Sequence, residues 1–294
     1  MLREHDPFIE QDSILEAQPP QPQNGRKPTP AEQARLSAFH GDQSMRRGQF
    51  DEAVGFYKRA AELDGNDGRW QVSLGDAYVS TGYYRRAYKA YQRAIKRNPQ
   101  DADAHFSLGE LLARTGAFEE GIPEISEAIR LLPGRHYYLY RLAGICWAAG
   151  MRQEAIQALR SAVRLNPQDA FYRYKLARLL AEEGHHREAN AQFQHAASCA
   201  PQDSYYRLWL AISFVQLRRI EDALEAVHEA LRIEEWREPT LLVLAALLHR
   251  LLGRHDTAQA YMRRAPRLTE YDRHFLRFVT QAAGPLAALA TEGL

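Results

Sequence analysis

The side chains that could do chemistry are present but do not form a reacting set. His185 and His186 sit side by side, and His195 follows nine residues after the second of them. Two histidines that bind a metal from one helix need i, i+4 spacing, which puts both on one face; a separation of nine or ten residues does not. His249 and His255 flank another turn with no carboxylate arranged beside them. These histidines read as solvated or capping residues. The pairs Glu119-Glu120, Glu182-Glu183 and Glu234-Glu235 read as solvated helix faces or turns. No serine occupies a nucleophile elbow, and no glycine-rich phosphate loop follows a discernible strand. Cys146 and Cys199 lack metal-ligand spacing and read as small packing residues. The sequence therefore assigns no catalytic residue, metal ligand, cofactor or small-molecule substrate.

What does recur is the chemistry of contact. Val72, Phe106, Tyr140, Tyr174 and Leu208 are spaced by 34 residues. Tyr137, Phe171 and Tyr205 form a second ladder of that spacing, and Arg141, Lys175 and Trp209 a third. Trp147 and Arg178 lie a turn or two further along. Tyrosine, tryptophan and arginine combine large contact area with hydrogen bonding, the composition of binding hot spots. Arg141, Lys175 and Arg178 could hold a carboxylate or an acidic side chain.

The elements that carry these side chains follow from the same period. Ala60, Ala94, Ala128, Ala162, Ala196 and Ala230 are 34 residues apart, as are Gly48, Gly82, Gly116, Gly150 and Gly184, and Pro99, Pro133, Pro167 and Pro201. Ladders in phase mark an array of similar units. Each unit reads as two helices. In residues 68–101, Trp70, Leu74, Ala77 and Tyr78 give one apolar face and Tyr84, Ala87, Tyr91, Ala94 and Ile95 a second. Asp67, Asp101, Asp169 and Asp203 are placed to cap the first helices. Glycine ends the first helix and proline stops the second. Gly75 and Gly109, continued as Ala143, Ala177 and Ala211, allow close helix approach. Tyr138, Tyr172 and Tyr206 are expected to pack against the preceding second helix. The sixth unit carries Arg218 where the others have the turn glycine.

The run of Trp70, Leu74, Gly75, Tyr78, Gly82, Tyr84, Ala87, Tyr91, Ala94 and Pro99 resembles the tetratricopeptide-repeat consensus, with Trp70 one residue early. The resemblance implies an all-α fold, a right-handed α-solenoid superhelix of helix-turn-helix repeats, about seven of them over residues 34–271. Residues 1–33, with Pro19, Pro20, Pro22, Pro28 and Pro30, are expected to be a disordered tail; its apolar cluster Phe8, Ile9, Ile14 and Leu15 could dock in the protein's own groove. Residues 272–294 are expected to form a capping helix and a C-terminal tail.

In proteins similar to this one, first helices line a concave groove that takes peptides or partner helices. Placed on that pattern, Tyr137, Tyr140, Arg141, Trp147, Phe171, Tyr174, Lys175, Arg178, Tyr205 and Trp209 are the expected partner-binding residues. The relatives' asparagine clamp for a terminal carboxylate has no counterpart, because none of Asn24, Asn66, Asn98, Asn166 and Asn190 lies on a first helix.

Bulk composition narrows the partner class. The net charge of +1 supplies no global field to recruit nucleic acid or anionic lipid. Arg86, Lys89, Arg93, Lys96 and Arg97 line one stripe, read as the solvated side of an amphipathic helix, so nucleic acid is disfavoured. No stretch approaches the roughly 18 apolar residues of a membrane span, and the start lacks a basic-then-apolar signal. The expected location is cytoplasmic. The expected role is a non-catalytic scaffold for a protein or peptide partner. Self-assembly into a homo-oligomer, through ends such as the apolar segment 285–294, is the alternative.

Overall fold

The computed structural model describes residues 27–235 and 237–265. They fold into fourteen helices in seven pairs, with no strand among the described residues: α1 (Pro30–Arg46) and α2 (Phe50–Leu63), α3 (Arg69–Ser80) and α4 (Tyr84–Arg97), α5 (Ala102–Arg114) and α6 (Phe118–Leu131), α7 (His136–Ala148) and α8 (Arg152–Leu165), α9 (Ala170–Glu182) and α10 (His186–Cys199), α11 (Ser204–Gln216) and α12 (Ile220–Ile233), α13 (Pro239–Leu251) and α14 (His255–Arg264). The chain divides into two compact units, with the boundary between Ala162 and Val163 in the last turn of α8. The expected capping helix and most of the expected tail lie outside the described residues.

The turn inside each pair is set by one left-handed residue. Gly82, with φ +79°, donates its N–H to the Val79 carbonyl at 3.0 Å, and Tyr83 donates to Tyr78 at 2.8 Å. These bonds satisfy carbonyls that the helix end would leave orphaned. The sixth pair closes with the same two bonds, Arg218 to Val215 at 3.0 Å and Arg219 to Phe214 at 2.9 Å. Arg218 itself adopts φ +62°. The repeat thus imposes the turn geometry even where the residue resists it.

First-helix starts follow the predicted aspartates with one exception. Asp101, Asp169 and Asp203 each accept a backbone N–H from the first turn. Asp67 does not occupy the cap, which falls to Gly68. Asp67 instead accepts the Arg69 N–H at 3.0 Å and pairs with the Arg69 guanidinium at 2.6 Å. The first helix also starts before the expected residue 34. Thr29 caps it, with Glu32 N donating to Thr29 Oγ1 at 3.3 Å and Glu32 Oε2 accepting from Thr29 N at 2.7 Å. Pro30 sits in the first turn, where a missing N–H costs nothing.

In the first unit the core is built from small residues against large ones. Ala34, Ala38, Ala53, Ala60 and Ala77 surround Tyr57 and Leu74. Farther along, Tyr91 packs with Ala87, Leu108, Leu111 and Leu112. Gly109 and Gly121 let α5 and α6 touch: a Cβ on Gly109 would lie 2.8 Å from the Gly121 carbonyl oxygen and 2.4 Å from Ile125 Cγ1. Tyr138 is buried against Ala102 and Ala128, so it packs on the preceding second helix as its ladder predicts. In the second unit, Tyr172, Leu176, Leu180 and Phe193 are buried. On α13, every residue from Thr240 to His249 is buried.

Candidate partner-binding face

In the first unit the predicted residues lie on α7, and only some of them meet. Tyr137 lies between Phe106 of α5, at 5.7 Å between ring centroids, and Tyr140, at 6.2 Å. Arg141 reaches Tyr137 Oη at 3.5 Å and pairs with the Glu110 carboxylate across from α5. The cationic centre predicted at Arg141 therefore already carries its own counter-ion. Trp147 stands apart from this group, with the Arg152 guanidinium 3.9 Å over its ring. Neighbouring Tyr138 donates to Asp103, and burial together with that carboxylate pushes its phenol up to about 12.

Glu110 is the residue that the sequence reading missed, although a signal for it existed. Asp42, Asp76 and Glu110 fall in one 34-residue phase, as do Tyr57, Tyr91 and Ile125. In the first two repeats the tyrosine caps the acid, Tyr57 to Asp42 at 2.5 Å and Tyr91 to Asp76 at 2.7 Å. In the third the tyrosine becomes Ile125, so Glu110 turns to Arg141 instead. Burial pushes the Glu110 carboxyl up against the opposing pull of Arg141 and Arg114. Its Oε1 is buried without a hydrogen-bond partner. A cavity of about 470 Å³ opens here, lined by Glu110, Arg114, Phe118, Tyr140, Arg141 and Gly144 among others.

In the second unit the predicted residues come together more fully. Tyr174 of α9 contacts Tyr205 of α11 at 5.2 Å, Trp209 at 5.5 Å and Phe193 of α10 at 6.2 Å between centroids. Phe193 stacks on Trp209 at 6.0 Å. The Tyr174 and Tyr205 hydroxyls are hydrogen-bonded at 2.6 Å. Lys175 Nζ stands 5.0 Å from the Phe171 ring, and the Arg178 guanidinium 5.2 Å from Trp209, within cation–π range. Arg178 also reaches Glu182 at 3.4 Å. Phe171 and Tyr174 are 5% and 1% exposed. Lys175, Arg178, Tyr205 and Trp209 are half-buried and form the accessible part.

The remaining temptations resolve individually. His195 and His255 are exposed, and His185 is the N-cap of α10. His249 departs from its expected solvated state: it is 6% exposed, and neither ring nitrogen has a hydrogen-bond partner. Its ring stacks 5.3 Å from Tyr261 of α14, with His228 of α12 at 5.9 Å. The turn that it flanks is present around Gly253, but His249 lies on the buried side of the last turn of α13. Cys146 is buried, Cys199 is partly buried, and both thiols are free. Arg86, Lys89, Arg93, Lys96 and Arg97 are exposed, the solvated face expected of α4. Among the described residues no group of three His, Cys, Asp or Glu side chains is placed to hold a metal, and no helix is long and apolar enough to cross a membrane.

With this geometry, comparison with known proteins identifies the array. A family model described as the C-terminal domain of cilia and flagella-associated protein 70 matches residues 8–238, and a tetratricopeptide-repeat model matches residues 210–273. The chain belongs to this tetratricopeptide-repeat family. Tetratricopeptide-repeat structures resemble it in turn. The C-terminal part of a repeat protein from Cytophaga hutchinsonii superposes with a TM-score of 0.65 at 15% identity, covering 81% of this chain and 98% of that one. MamA of Desulfovibrio magneticus RS-1 gives 0.51 at 22% identity, over 57% and 96%. YrrB, described as a tetratricopeptide-repeat protein with an unusual peptide-binding site, gives 0.50 at 22% identity, over 61% and 92%. At these identities the likeness is one of fold. No curated protein matches the chain.

Proposed function

We propose that this tetratricopeptide-repeat chain is a non-catalytic scaffold whose first-helix faces take a peptide or a segment of a partner protein. The observation that carries this reading is the cluster on α9 and α11, where Lys175 and Arg178 stand over aromatic rings while Tyr205 and Trp209 remain half-buried. Amphipathic rings beside partly desolvated cations suit a ligand with both apolar and acidic groups. Tyr140 and Arg141 border a cavity of about 470 Å³, a size suited to an anchoring side chain. Phe171 and Tyr174 shape the face from below. The free thiols Cys146 and Cys199 support a cytoplasmic placement.

The test is an affinity capture from native lysate with mass-spectrometric identification. Wild type is compared with Tyr140→Ala/Lys175→Glu/Arg178→Glu after far-UV circular dichroism confirms equal helicity. Partners retained by wild type and lost by the variant are the expected outcome. An unchanged partner set would remove these faces from binding.

A further inference from the structure

Resting on the groove reading above, we propose that the face formed by α9 and α11 is occupied by the chain's own N-terminal segment, residues 4–9, as an intramolecular ligand that an outside partner must displace. The segment reads Glu4-His5-Asp6-Pro7-Phe8-Ile9. Proline biases the residue before it toward extended backbone, so Pro7 favours an extended Asp6. In an extended chain alternate side chains share a side and stand about 7 Å apart. Glu4, Asp6 and Phe8 are alternate residues, the spacing that shares one side of an extended segment. Lys175 and Arg178 are i, i+3 on α9, neighbours roughly 5–6 Å apart at Cβ. Two acids in a row followed by an aromatic match two cations beside Tyr205 and Trp209 in order and spacing.

Two further observations favour this occupant over an unrelated one. The family match begins at residue 8, well ahead of α1, so Phe8 and Ile9 fall inside the domain that the family defines. About twenty residues separate Ile9 from Pro30, a tether that spans up to about 70 Å when extended. A tether of that length that reaches the face holds its ligand at an effective concentration on the order of millimolar. A weak contact made by Glu4, Asp6 and Phe8 is enough to fill the face under those conditions. A competing partner would need the same acidic-and-aromatic chemistry or a tighter grip.

The test uses full-length protein and a fluorescein-labelled peptide of residues 1–12, read by fluorescence anisotropy. The peptide is titrated into wild type and into Glu4→Lys/Asp6→Lys/Phe8→Ala, whose substitutions lie ahead of the first helix. Binding to the variant about tenfold or more tighter than to wild type, as a millimolar tether predicts, supports the proposal. Loss of that binding on adding Lys175→Glu/Arg178→Glu places the peptide on α9, with circular dichroism as the folding control. Equal affinity for wild type and variant, or binding to neither, overturns the proposal. Sedimentation velocity adds a separate arm: a wild-type oligomer that becomes monomeric in the variant puts the segment in a second copy's face and overturns the intramolecular assignment. Failure of the groove reading looks different, because lysate partners would then ignore Tyr140→Ala/Lys175→Glu/Arg178→Glu whatever the tail does.

Discussion

The hydroxyls of Tyr174 on α9 and Tyr205 on α11 lie 2.6 Å apart, a hydrogen bond between consecutive first helices. It joins residues 31 positions apart that no local pattern would pair. Tyr174 is 1% exposed, and the Arg178 guanidinium also donates to its hydroxyl at 3.4 Å, so loss of the Tyr205 hydroxyl removes one hydrogen bond, worth about 1 kcal/mol net. Tyr205→Phe is expected to lower stability by about 1 kcal/mol. Both substitutions remove the same Tyr174–Tyr205 bond, so Tyr174→Phe/Tyr205→Phe is expected to cost less than the sum of the two single changes. Urea denaturation of the four proteins measures this; strict additivity would mean that the two hydroxyls act independently.

Arg218 holds the left-handed turn between α11 and α12 at φ +62°. A side chain in that conformation costs about 1 kcal/mol or more relative to glycine. Arg218→Gly is therefore expected to stabilise the protein by about 1 kcal/mol, keeping the same two turn hydrogen bonds. A destabilised variant in thermal denaturation would mean that the arginine side chain supplies a contact outweighing the strain.

Two helical glycines respond oppositely to alanine. At Gly109 a new methyl would lie 2.4 Å from Ile125 Cγ1 and 2.8 Å from the Gly121 carbonyl oxygen, where backbone cannot yield cheaply. Gly109→Ala is expected to cost about 1–3 kcal/mol by overpacking. At Gly144 nothing lies within 4 Å of the position. There alanine gains about 1 kcal/mol of helix propensity. Denaturant midpoints of the two variants on either side of wild type check the contrast.

These cases mark what the sequence made legible. The 34-residue period located the seven pairs, their turns and the buried ladder of Tyr138, Tyr172 and Tyr206, because packing repeats with the chain. It could not expose relations that depend on substitution between repeats. The Glu110–Arg141 pair exists because Ile125 stands where Tyr57 and Tyr91 cap an acid, a dependence among three positions on three helices. Tyr174 falls in a ladder expected to face a groove yet is covered by Phe193, Tyr206 and Trp209, so its ladder alone did not reveal its burial. Asp67 left its cap because Arg69, two residues on, offered a charged partner.

His249 makes the protein's stability depend on pH. Burial, then the nearby His228 and Arg254, hold its pKa below the ordinary value of 6.5. His228 is lowered as well, by burial and by Arg232, and its Nε2 is hydrogen-bonded to the Tyr261 hydroxyl at 2.8 Å. For a base whose folded pKa is depressed, the unfolded chain takes up the proton first. Stability is then fully present above about pH 6.5 and falls as pH drops below it. Unfolding midpoints in urea are expected to decline as pH falls from about 7 through the depressed folded-state pKa values of His249 and His228. His249→Phe keeps a flat ring against Tyr261 and removes two buried nitrogens that lack partners, so it should flatten that decline while His228 supplies the remainder. A decline of unchanged steepness in His249→Phe would assign the pH dependence to other groups.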